Sequence, residues 1–374
     1  MPRPRERLPE LDALRGIAAL MVVFFHTLLT LQLTDTGAYR VLNALPSHPM
    51  FAGRLAVIFF FVLSGAVLTR GLMASNARPG AFVAFACRRV IRLCVPTAAV
   101  LLLSAGLYVL CWNGPWPGSD FYGGWKVPPT AAGFTRQALL IGADGDFWLD
   151  PVLWSLVHEL RLSILLPLLV ALPMLRGLQG SLTTLLLGAI VFGFSVSGHT
   201  AIEDTIQLGP TWLETFRATG YFALPFLTGT ALVLGQWQRW EPGKEQRRLA
   251  LTAALLLLCS DNDLAAVVAS VLLILLSRHP GWYRDFLLLP PLLLLGRISF
   301  SLYLVHMPVQ LAVQHGLHTA LSEAWMEPLT IAISLLAAWV VHYVAERPAL
   351  LLSRRIKPTQ PANAIHTIPI QRQI

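Results

Sequence analysis

The sequence predicts an all-α fold, a polytopic membrane bundle of about ten transmembrane helices. Of its 374 residues, 55% are hydrophobic and only 13% are charged, which is more apolar surface than one soluble core would hide. A helix needs about 20 mostly apolar residues to cross about 30 Å of hydrocarbon, and several windows of the chain qualify. We place helices near residues 14–33, 52–69, 95–112, 152–173, 181–197, 218–236, 248–260, 262–277, 287–315 and 325–345.

The ninth of these regions is ambiguous. Pro290 and Pro291 break its apolar run, and Gly296 and Arg297 interrupt it again. Proline and glycine are the strongest breakers of a helical pattern. We therefore predict a short first segment, followed by a span from about residue 298.

The basic residues indicate the orientation. If the N-terminus is cytoplasmic, most of the 28 lysines and arginines fall on the cytoplasmic side, as the positive-inside rule requires. Ten spans then place both termini in the cytoplasm. Residues 1–357 form one transmembrane domain, and residues 358–374 form a short tail whose composition is typical of disorder. We expect a multi-pass protein of the cell (inner) membrane, and the sequence leaves its oligomeric state open.

The net charge of +8 does not indicate nucleic-acid binding. The basic residues are dispersed over the loops between spans, where they meet anionic lipid, so we expect membrane lipid and no nucleic acid as a partner. The four cysteines show no metal-ligand spacing, and we expect no metal. Cys111 and Cys259 lie near the predicted outer ends of their helices and form a disulfide only if those ends meet.

The longest polar connection, residues 113–150, lies outside in this topology and is rich in glycine, proline and tryptophan (WNGPWPGSDFYGGWKVPP). Aromatic rings prefer the membrane interface, so one interpretation is a loop that lies on the lipid headgroups. The other interpretation is a platform on which a sugar stacks. The sequence leaves both interpretations open.

The first span carries an ionisable side chain, His26, where such a group is costly. Arg15 precedes it with ten residues between them, close to three helical turns, so the two side chains share one helix face. A basic group near the cytoplasmic surface and an imidazole near mid-membrane would then line one groove. His26 either serves a site there or only forms a hydrogen bond with a neighbouring helix.

Three arginines follow the second span in the stretch FACRRVIRLCVP. In a helix, Arg89 lies three residues and Arg88 four residues from Arg92, so the guanidinium groups converge on one face. Guanidinium forks bind phosphate oxygens with two hydrogen bonds. The cluster therefore suits either a phosphate-bearing cytoplasmic ligand or lipid headgroups.

Two later spans carry polar residues inside the apolar run. Glu159, in DPVLWSLVHELRLSILLPLL, needs a partner on another helix because a carboxylate in hydrocarbon normally pairs, faces a cavity or takes up a proton, and His26 is a candidate partner. Ser299, Tyr303 and His306, in GRISFSLYLVHMPV, fall at i, i+4 and i+7 and form a polar stripe. This stripe either serves a site or bonds one helix to another.

Five stretches together resemble the acyltransferase 3 family of integral-membrane acyltransferases. They are LDALRGIAALMVVFFH, FFFVLSG, RRVIR, WSLVHEL and GRISFSLYLVH, and ERP at 346–348 closes the last span in the family's manner. They occur in the family's order over about residues 8–352. Each motif is short, but five of them in order across ten spans make the resemblance specific.

The resemblance implies transfer of an acyl group, usually acetyl, from cytoplasmic acyl-coenzyme A to a hydroxyl of a glycan, lipid-linked sugar or related acceptor. Acyl-coenzyme A is then a co-substrate, and no further cofactor is implied. His26 corresponds to the family's essential histidine, Glu159 matches the carboxylate of its Trp-Ser-Leu motif, and we assign both residues to catalysis. By this resemblance Arg15, Arg89 and Arg92 bind acyl-coenzyme A, and we add Arg88 because of its place in the same cluster. We assign a further set to binding or supporting the substrate (Trp154, Ser155, Ser299, Tyr303 and His306).

The chemistry of the transfer fits a histidine. Attack of a hydroxyl on a thioester needs a base near neutral pH, and imidazole is the side chain best matched to that task. Alternatively, the imidazole attacks first and carries the acyl group. We favour the general-base route, because a groove open to both sides brings donor and acceptor together without a carrier step.

A transporter or flippase is the competing class of function. In that interpretation His26, Glu159 and Arg161 form a proton relay. Transporters often contain paired broken helices in two related halves, whereas only the ninth region of this chain looks broken. The sequence therefore favours the acyltransferase.

Overall fold

The computed structural model describes residues 8–30, 48–73, 79–115, 124–143, 146–170, 177–197, 207–209, 211–236, 240–260 and 262–356. All of the regular structure in those ranges is helical. The helices are α1 (Pro9–Thr30), α2 (His48–Phe51), α3 (Gly53–Met73), α4 (Pro79–Cys111), α5 (Ala131–Ala138), α6 (Trp154–Val170), α7 (Gly177–Val196), α8 (Trp212–Leu234), α9 (Lys244–Leu257), α10 (Asp263–Leu276), α11 (Trp282–Leu287), α12 (Pro290–Leu317), α13 (Glu323–Val341) and α14 (Arg347–Arg355). A 3-10 turn (Pro151–Leu153) precedes α6, and a π-helical turn (His342–Glu346) joins α13 to α14.

Each of the ten predicted regions contains a helix, so the all-α membrane fold is confirmed in kind. Six helical segments within the described residues are long and apolar enough to cross a membrane: Gly53–Met73, Gly80–Cys111, Pro151–Val170, Gly177–Val196, Pro290–Leu317 and Trp325–Arg355. The number of ten spans and the cytoplasmic position of both termini stay predictions. The predicted tail, residues 358–374, lies outside the described residues.

The predicted break in the ninth region is wrong. Residues 290–317 form one continuous helix, α12, which the two prolines begin. Proline suits the first turn of a helix because its missing N–H would have no intrahelical acceptor there.

The RRVIR stretch belongs to α4, a single helix of 33 residues that carries Pro96 inside it. The arginine cluster and the following span therefore belong to one continuous helix.

Glycines set the distance between α1 and α12. A Cβ atom at Gly296 would overlap the backbone of Asp12, and one at Gly16 would overlap the backbone of Gly296. Only glycine allows two helix backbones to approach this closely. Since the two helices run parallel from this contact, residues ten positions further along each of them, His26 and His306, also meet.

Helix α3 packs against α1, α6, α8 and α10 and is buried over most of its length. Its motif glycine, Gly65, lies against the carbonyl group of Phe226 in α8, and Gly229 of α8 lies in turn against the carbonyl group of Val62. The preceding residue, Ser64, points toward α6. The FFFVLSG stretch therefore packs α8 tightly on one side and supplies a hydroxyl to the site on the other.

Two tryptophans of the connection after α4 pack inside the bundle, contrary to both interpretations at those two positions; residues 116–123 and 144–145 of this connection lie outside the described residues. Trp125 is 1% exposed, and its Nε1 donates to Ser104 Oγ at 3.0 Å; Ser104 in turn donates to the carbonyl of Leu149 at 2.6 Å. Trp148 is also buried. These two tryptophans therefore neither lie on the headgroups nor present an open stacking surface.

The end of α4 lies beside the end of α12, where Cys111 approaches Gly316. All four cysteines lie within the described residues, and each is a free thiol. Cys111 and Cys259 therefore do not pair. The ends of α4 and α12 also share an aromatic cluster in which the rings of Tyr108 and Trp125 meet edge to face.

The orientation can be tested by labelling single cysteines. Lys126 and Arg354 are both exposed and lie toward opposite ends of α4, since Trp125 contacts Ser104 and Ile356 contacts Arg88. On a background without native cysteines, we expect an impermeant thiol reagent applied to intact cells to label Lys126→Cys and to spare Arg354→Cys, because the basic residues place Arg354 inside. Permeabilised cells, in which both positions should react, are the control. Labelling of position 354 alone in intact cells would contradict the topology.

Candidate active site

Two histidines on parallel helices form the centre of the candidate site. His306 of α12 places its Nε2 3.3 Å from Nδ1 of His26 on α1, and the ring centroids lie 5.1 Å apart. Gln310, one turn further along α12, donates to the backbone carbonyl of His26 at 3.1 Å. The stripe predicted on the ninth region therefore meets the histidine predicted on the first.

Backbone carbonyls determine the tautomer of each neutral ring. His26 Nδ1 lies 2.8 Å from the carbonyl oxygen of Val22, and His306 Nδ1 lies 3.1 Å from that of Leu302. A carbonyl oxygen only accepts, so each Nδ1 carries the proton. His306 Nε2 is then an acceptor for the same Nδ1–H of His26, and the lone pair of neutral His26 lies on Nε2.

Tyr303 and Ser155 continue the polar group toward the start of α6. Their hydroxyl oxygens are 2.6 Å apart, and the Tyr303 hydroxyl donates to the carbonyl of Val152 at 3.1 Å. The Tyr303 ring lies 6.0 Å from the ring of His306, centroid to centroid. Ser299, the third member of the predicted stripe, donates instead to the carbonyl of Gly296 in its own helix.

Glu159 pairs with Arg89 rather than with His26. The Arg89 guanidinium lies 2.5 Å from Glu159 Oε1, and Ser64 donates to the same oxygen at 2.8 Å. Arg89 is 7% exposed. A carboxylate held by a buried guanidinium and a hydroxyl keeps its charge inside an apolar bundle. The ion pair joins α4 to α6, and Ser64 adds α3 to the same junction.

Arg15 and Arg92 lie close to this pair. Arg92 is half-buried and within electrostatic range of Arg15 and Arg89, and of the carboxylates of Glu159 and Glu346. Arg15 is also half-buried and lies 3.5 Å from Asp12 on its own helix. This cluster, the arginine pocket, holds the three guanidinium groups of Arg15, Arg89 and Arg92 and the three carboxylates of Asp12, Glu159 and Glu346. Arg15 and Arg89 each face a carboxylate within 4 Å, whereas Arg92 forms no ion pair with the described residues.

Arg88 does not join that pocket as its position four residues before Arg92 predicted. It donates to the carbonyl of Ile356, at the end of α14, at 3.3 Å. The reason is rotational, since consecutive residues on a helix point about 100° apart. Arg89 therefore faces α6 while Arg88 faces the last helix.

Glu346 is a carboxylate near the site that sequence reasoning missed. Glu346 is buried and accepts hydrogen bonds from Ser301 at 2.7 Å and from the ring of His342 at 2.9 Å. The π-helical turn at His342–Glu346 brings it toward α4 and α12. The ERP motif was the available signal, because glutamate is rare at the end of an apolar span.

Trp154 and Arg161 of α6 face α8 instead of the histidines. Arg161 donates to the carbonyl of Thr215 at 3.1 Å and to the hydroxyl of Thr219 at 3.0 Å. Its guanidinium also lies 4.6 Å from the ring centroid of Phe216. Trp154 packs against Phe222. These contacts fasten α6 to α8.

The comparison with protein families gives one result. The family described as an acyltransferase domain, acyltransferase 3, matches residues 8–344, nearly the whole chain. No curated protein and no solved structure matches the chain. Within the described residues, no group of three or more His, Cys, Asp or Glu side chains could hold a metal ion.

Proposed function

Because this chain belongs to the acyltransferase 3 family, we propose that it transfers an acetyl group from cytoplasmic acetyl-coenzyme A to a hydroxyl of a glycan, lipid-linked sugar or related acceptor. The family makes it a membrane acyltransferase. We propose four further points that the family does not specify: the donor, the acyl group, the acceptor and the roles of the residues. The observation that carries the roles is the hydrogen-bonded position of His26 between Val22 and His306.

His26 acts as the general base. Its Nε2 lone pair takes the proton of the acceptor hydroxyl as the hydroxyl oxygen attacks the thioester carbonyl, and the thiolate of coenzyme A leaves. The ring then carries a proton on both nitrogens. The Val22 carbonyl and the His306 lone pair, both directed at Nδ1–H, stabilise that cation and hold the ring in place. In a hydrolase triad a carboxylate orients the histidine and stabilises its imidazolium form. The Val22 carbonyl and the His306 lone pair have the same role for His26.

The donor lies along α1 with its phosphates at the arginines. Guanidinium groups suit the phosphates of coenzyme A because they bind phosphate oxygens with two hydrogen bonds. Arg89 already binds Glu159, so Arg15 and Arg92 supply most of the contact, while Glu159 and Ser64 hold Arg89. Arg15 and His26 are about 16 Å apart along the helix axis. An extended donor therefore has its phosphates at one end of this groove and its thioester at the other.

The contacts give a transporter relay no support. The partners described for Glu159 are Arg89 and Ser64, whereas those described for Arg161 are on α8. A relay needs hydrogen-bonded neighbours between which a proton can pass. His26 interacts with α12, whereas Arg161 interacts with α8.

The proposal is tested by the release of coenzyme A. Purified protein in lipid nanodiscs should release free coenzyme A from acetyl-coenzyme A when a sugar acceptor is added, with an equal amount of acetylated sugar. A His26→Gln sample is the control for background hydrolysis. Release that never depends on an added hydroxyl compound would contradict the proposal. An acetyl group trapped on His26 without acceptor would replace the general-base route with the acyl-carrier route.

A further inference from the structure

The segment that leads into α6 contains a buried carboxyl group that has no role in the acyl transfer proposed for His26 and the arginines. Asp150 is 0% exposed and lies just before the 3-10 turn Pro151–Leu153. The amide of Val152 lies near the carboxyl group. Neither carboxyl oxygen, however, has a partner among the described residues at hydrogen-bonding distance and angle. A buried carboxyl without partners costs several kcal/mol in a folded protein. Such a group calls for a reason.

Helix capping does not supply the reason. Asp150 occupies the N-cap position of the 3-10 turn, where an aspartate normally accepts from a backbone N–H two or three residues later. Its side chain makes no such capping hydrogen bond. A nearby carboxylate shows the contrast, because Asp146 accepts from Arg136 and from the amide of Ala143, both at 3.0 Å. Asp146 therefore has a structural role that Asp150 lacks.

The surroundings of Asp150 are those of the candidate site. It lies within electrostatic range of Tyr303, whose hydroxyl contacts Ser155 and the carbonyl of Val152. Tyr303 is in turn the neighbour of His306. Asp150 precedes Glu159 by nine residues, about two and a half helical turns, so it lies on the far side of the site from the arginine pocket. The donor phosphates and Asp150 therefore occupy opposite ends of the site.

The chemistry of the group fits a hydroxyl ligand. Burial raises the pKa of the Asp150 carboxyl well above its usual range, which favours the neutral acid. A neutral carboxylic acid both donates and accepts hydrogen bonds, as a hydroxyl group does. The Tyr303 hydroxyl, by contrast, already donates to Val152 and contacts Ser155. An acceptor hydroxyl at Asp150 would satisfy both unpartnered oxygens of the side chain.

We propose that Asp150 binds a hydroxyl group of the acyl acceptor, next to Tyr303 and Ser155, and so fixes the acceptor relative to His26. This inference rests on the proposed acyl transfer. It adds to it the residue that recognises the second substrate. Such a contact stabilises the bound acceptor and does not involve the donor. Loss of the contact should therefore raise the KM of the acceptor and leave the KM of the donor unchanged.

Kinetics of Asp150→Leu and Asp150→Asn test the inference. The acceptor probes are methyl α-D-glucopyranoside, methyl α-L-rhamnopyranoside and N-acetylglucosamine, with coenzyme A release as the readout. For a sugar that the wild type acylates, we expect Asp150→Leu to raise the acceptor KM at least about tenfold, with the acetyl-coenzyme A KM within about twofold. Asparagine keeps a donor and an acceptor, so Asp150→Asn should recover most of the loss.

Thermal stability separates a binding role from a structural one. Removing an unpartnered buried carboxyl should leave the melting temperature of Asp150→Leu equal to or above that of the wild type. The matched control is Asp146→Leu, which should lower the melting temperature without changing either KM. If leucine proves too large to fold, Asp150→Ala takes its place with the same expected results.

Each outcome decides one proposal. An active wild type with an unchanged acceptor KM in Asp150→Leu, or in Asp150→Ala where that variant replaces it, overturns the role of Asp150 alone. A lower melting temperature with an unchanged KM shows that Asp150 is structural. A wild type that acylates none of the three sugars contradicts the glycan acceptor, and with it the premise of this inference.

Discussion

We expect His26→Gln to lower the rate of acyl transfer at least about 100-fold at saturating donor and acceptor. Glutamine fills a similar volume and can donate to the Val22 carbonyl, but it takes up no proton near neutral pH. Lost general-base catalysis costs about 100-fold or more. The rate of coenzyme A release with a sugar acceptor measures the effect. His318→Gln is the matched control, because His318 lies at the end of α12 and bonds to the carbonyl of Gln314.

The partner histidine should show a smaller effect of the same kind. His306→Phe keeps a ring against His26 but removes the lone pair that faces Nδ1–H. We expect the turnover number to fall about tenfold with little change in the KM of the donor, as for other residues that orient a functional histidine. For the first prediction, a His26→Gln enzyme that keeps full turnover would show that the general base is a residue other than His26.

The second large effect concerns the pair between Arg89 and Glu159. We expect Arg89→Leu and Glu159→Leu each to destabilise the protein by about 3 to 5 kcal/mol, because each leaves one buried charge without its partner. The double variant should recover most of that stability, since the two leucines remove both charges together. Thermal unfolding in nanodiscs measures the three variants. Acyl transfer should not recover in the double variant, because the arginine pocket loses a positive charge.

Arg248 and Glu245 provide the control for this cycle. They form an exposed ion pair at 2.9 Å on α9, with both side chains more than two-thirds exposed. An exposed pair contributes about 0 to 1 kcal/mol, so the same leucine cycle there should change stability little. Additive losses in the Arg89 and Glu159 double variant would mean that the two side chains act independently, against the geometry of the pair.

The class of fold and the main helices are predictable from the sequence because long apolar runs have few alternatives to a membrane helix. The contact between His26 and the Ser299, Tyr303 and His306 stripe is not predictable, because it depends on which helices are neighbours. Glycines carry that information. Gly16 and Gly296 bring α1 and α12 together, but a glycine in an apolar run equally suits a break, and that is how Gly296 was interpreted.

The partner of Glu159 was beyond sequence reasoning for a related reason. A buried carboxylate requires a partner, but the requirement does not say which cation supplies it. Arg89 and Arg92 were assigned together to the donor, yet the structure commits Arg89 to Glu159 and leaves Arg92 without an ion pair in the described part of the chain. Nothing in the sequence distinguishes Asp150, because an Asp-Pro pair usually marks a turn. Only its burial distinguishes it.

The central claim is that His26 performs the chemistry while the arginine pocket holds the donor, and titration calorimetry of acetyl-coenzyme A tests it most directly. His26→Gln should bind the donor with a Kd within about twofold of the wild type. Arg92→Ala should weaken binding about tenfold or more, because it removes charge-assisted contacts worth about 1.5 to 3 kcal/mol. A His26→Gln protein that binds the donor poorly but turns over normally at saturation would contradict the account, since His26 would then be a binding residue.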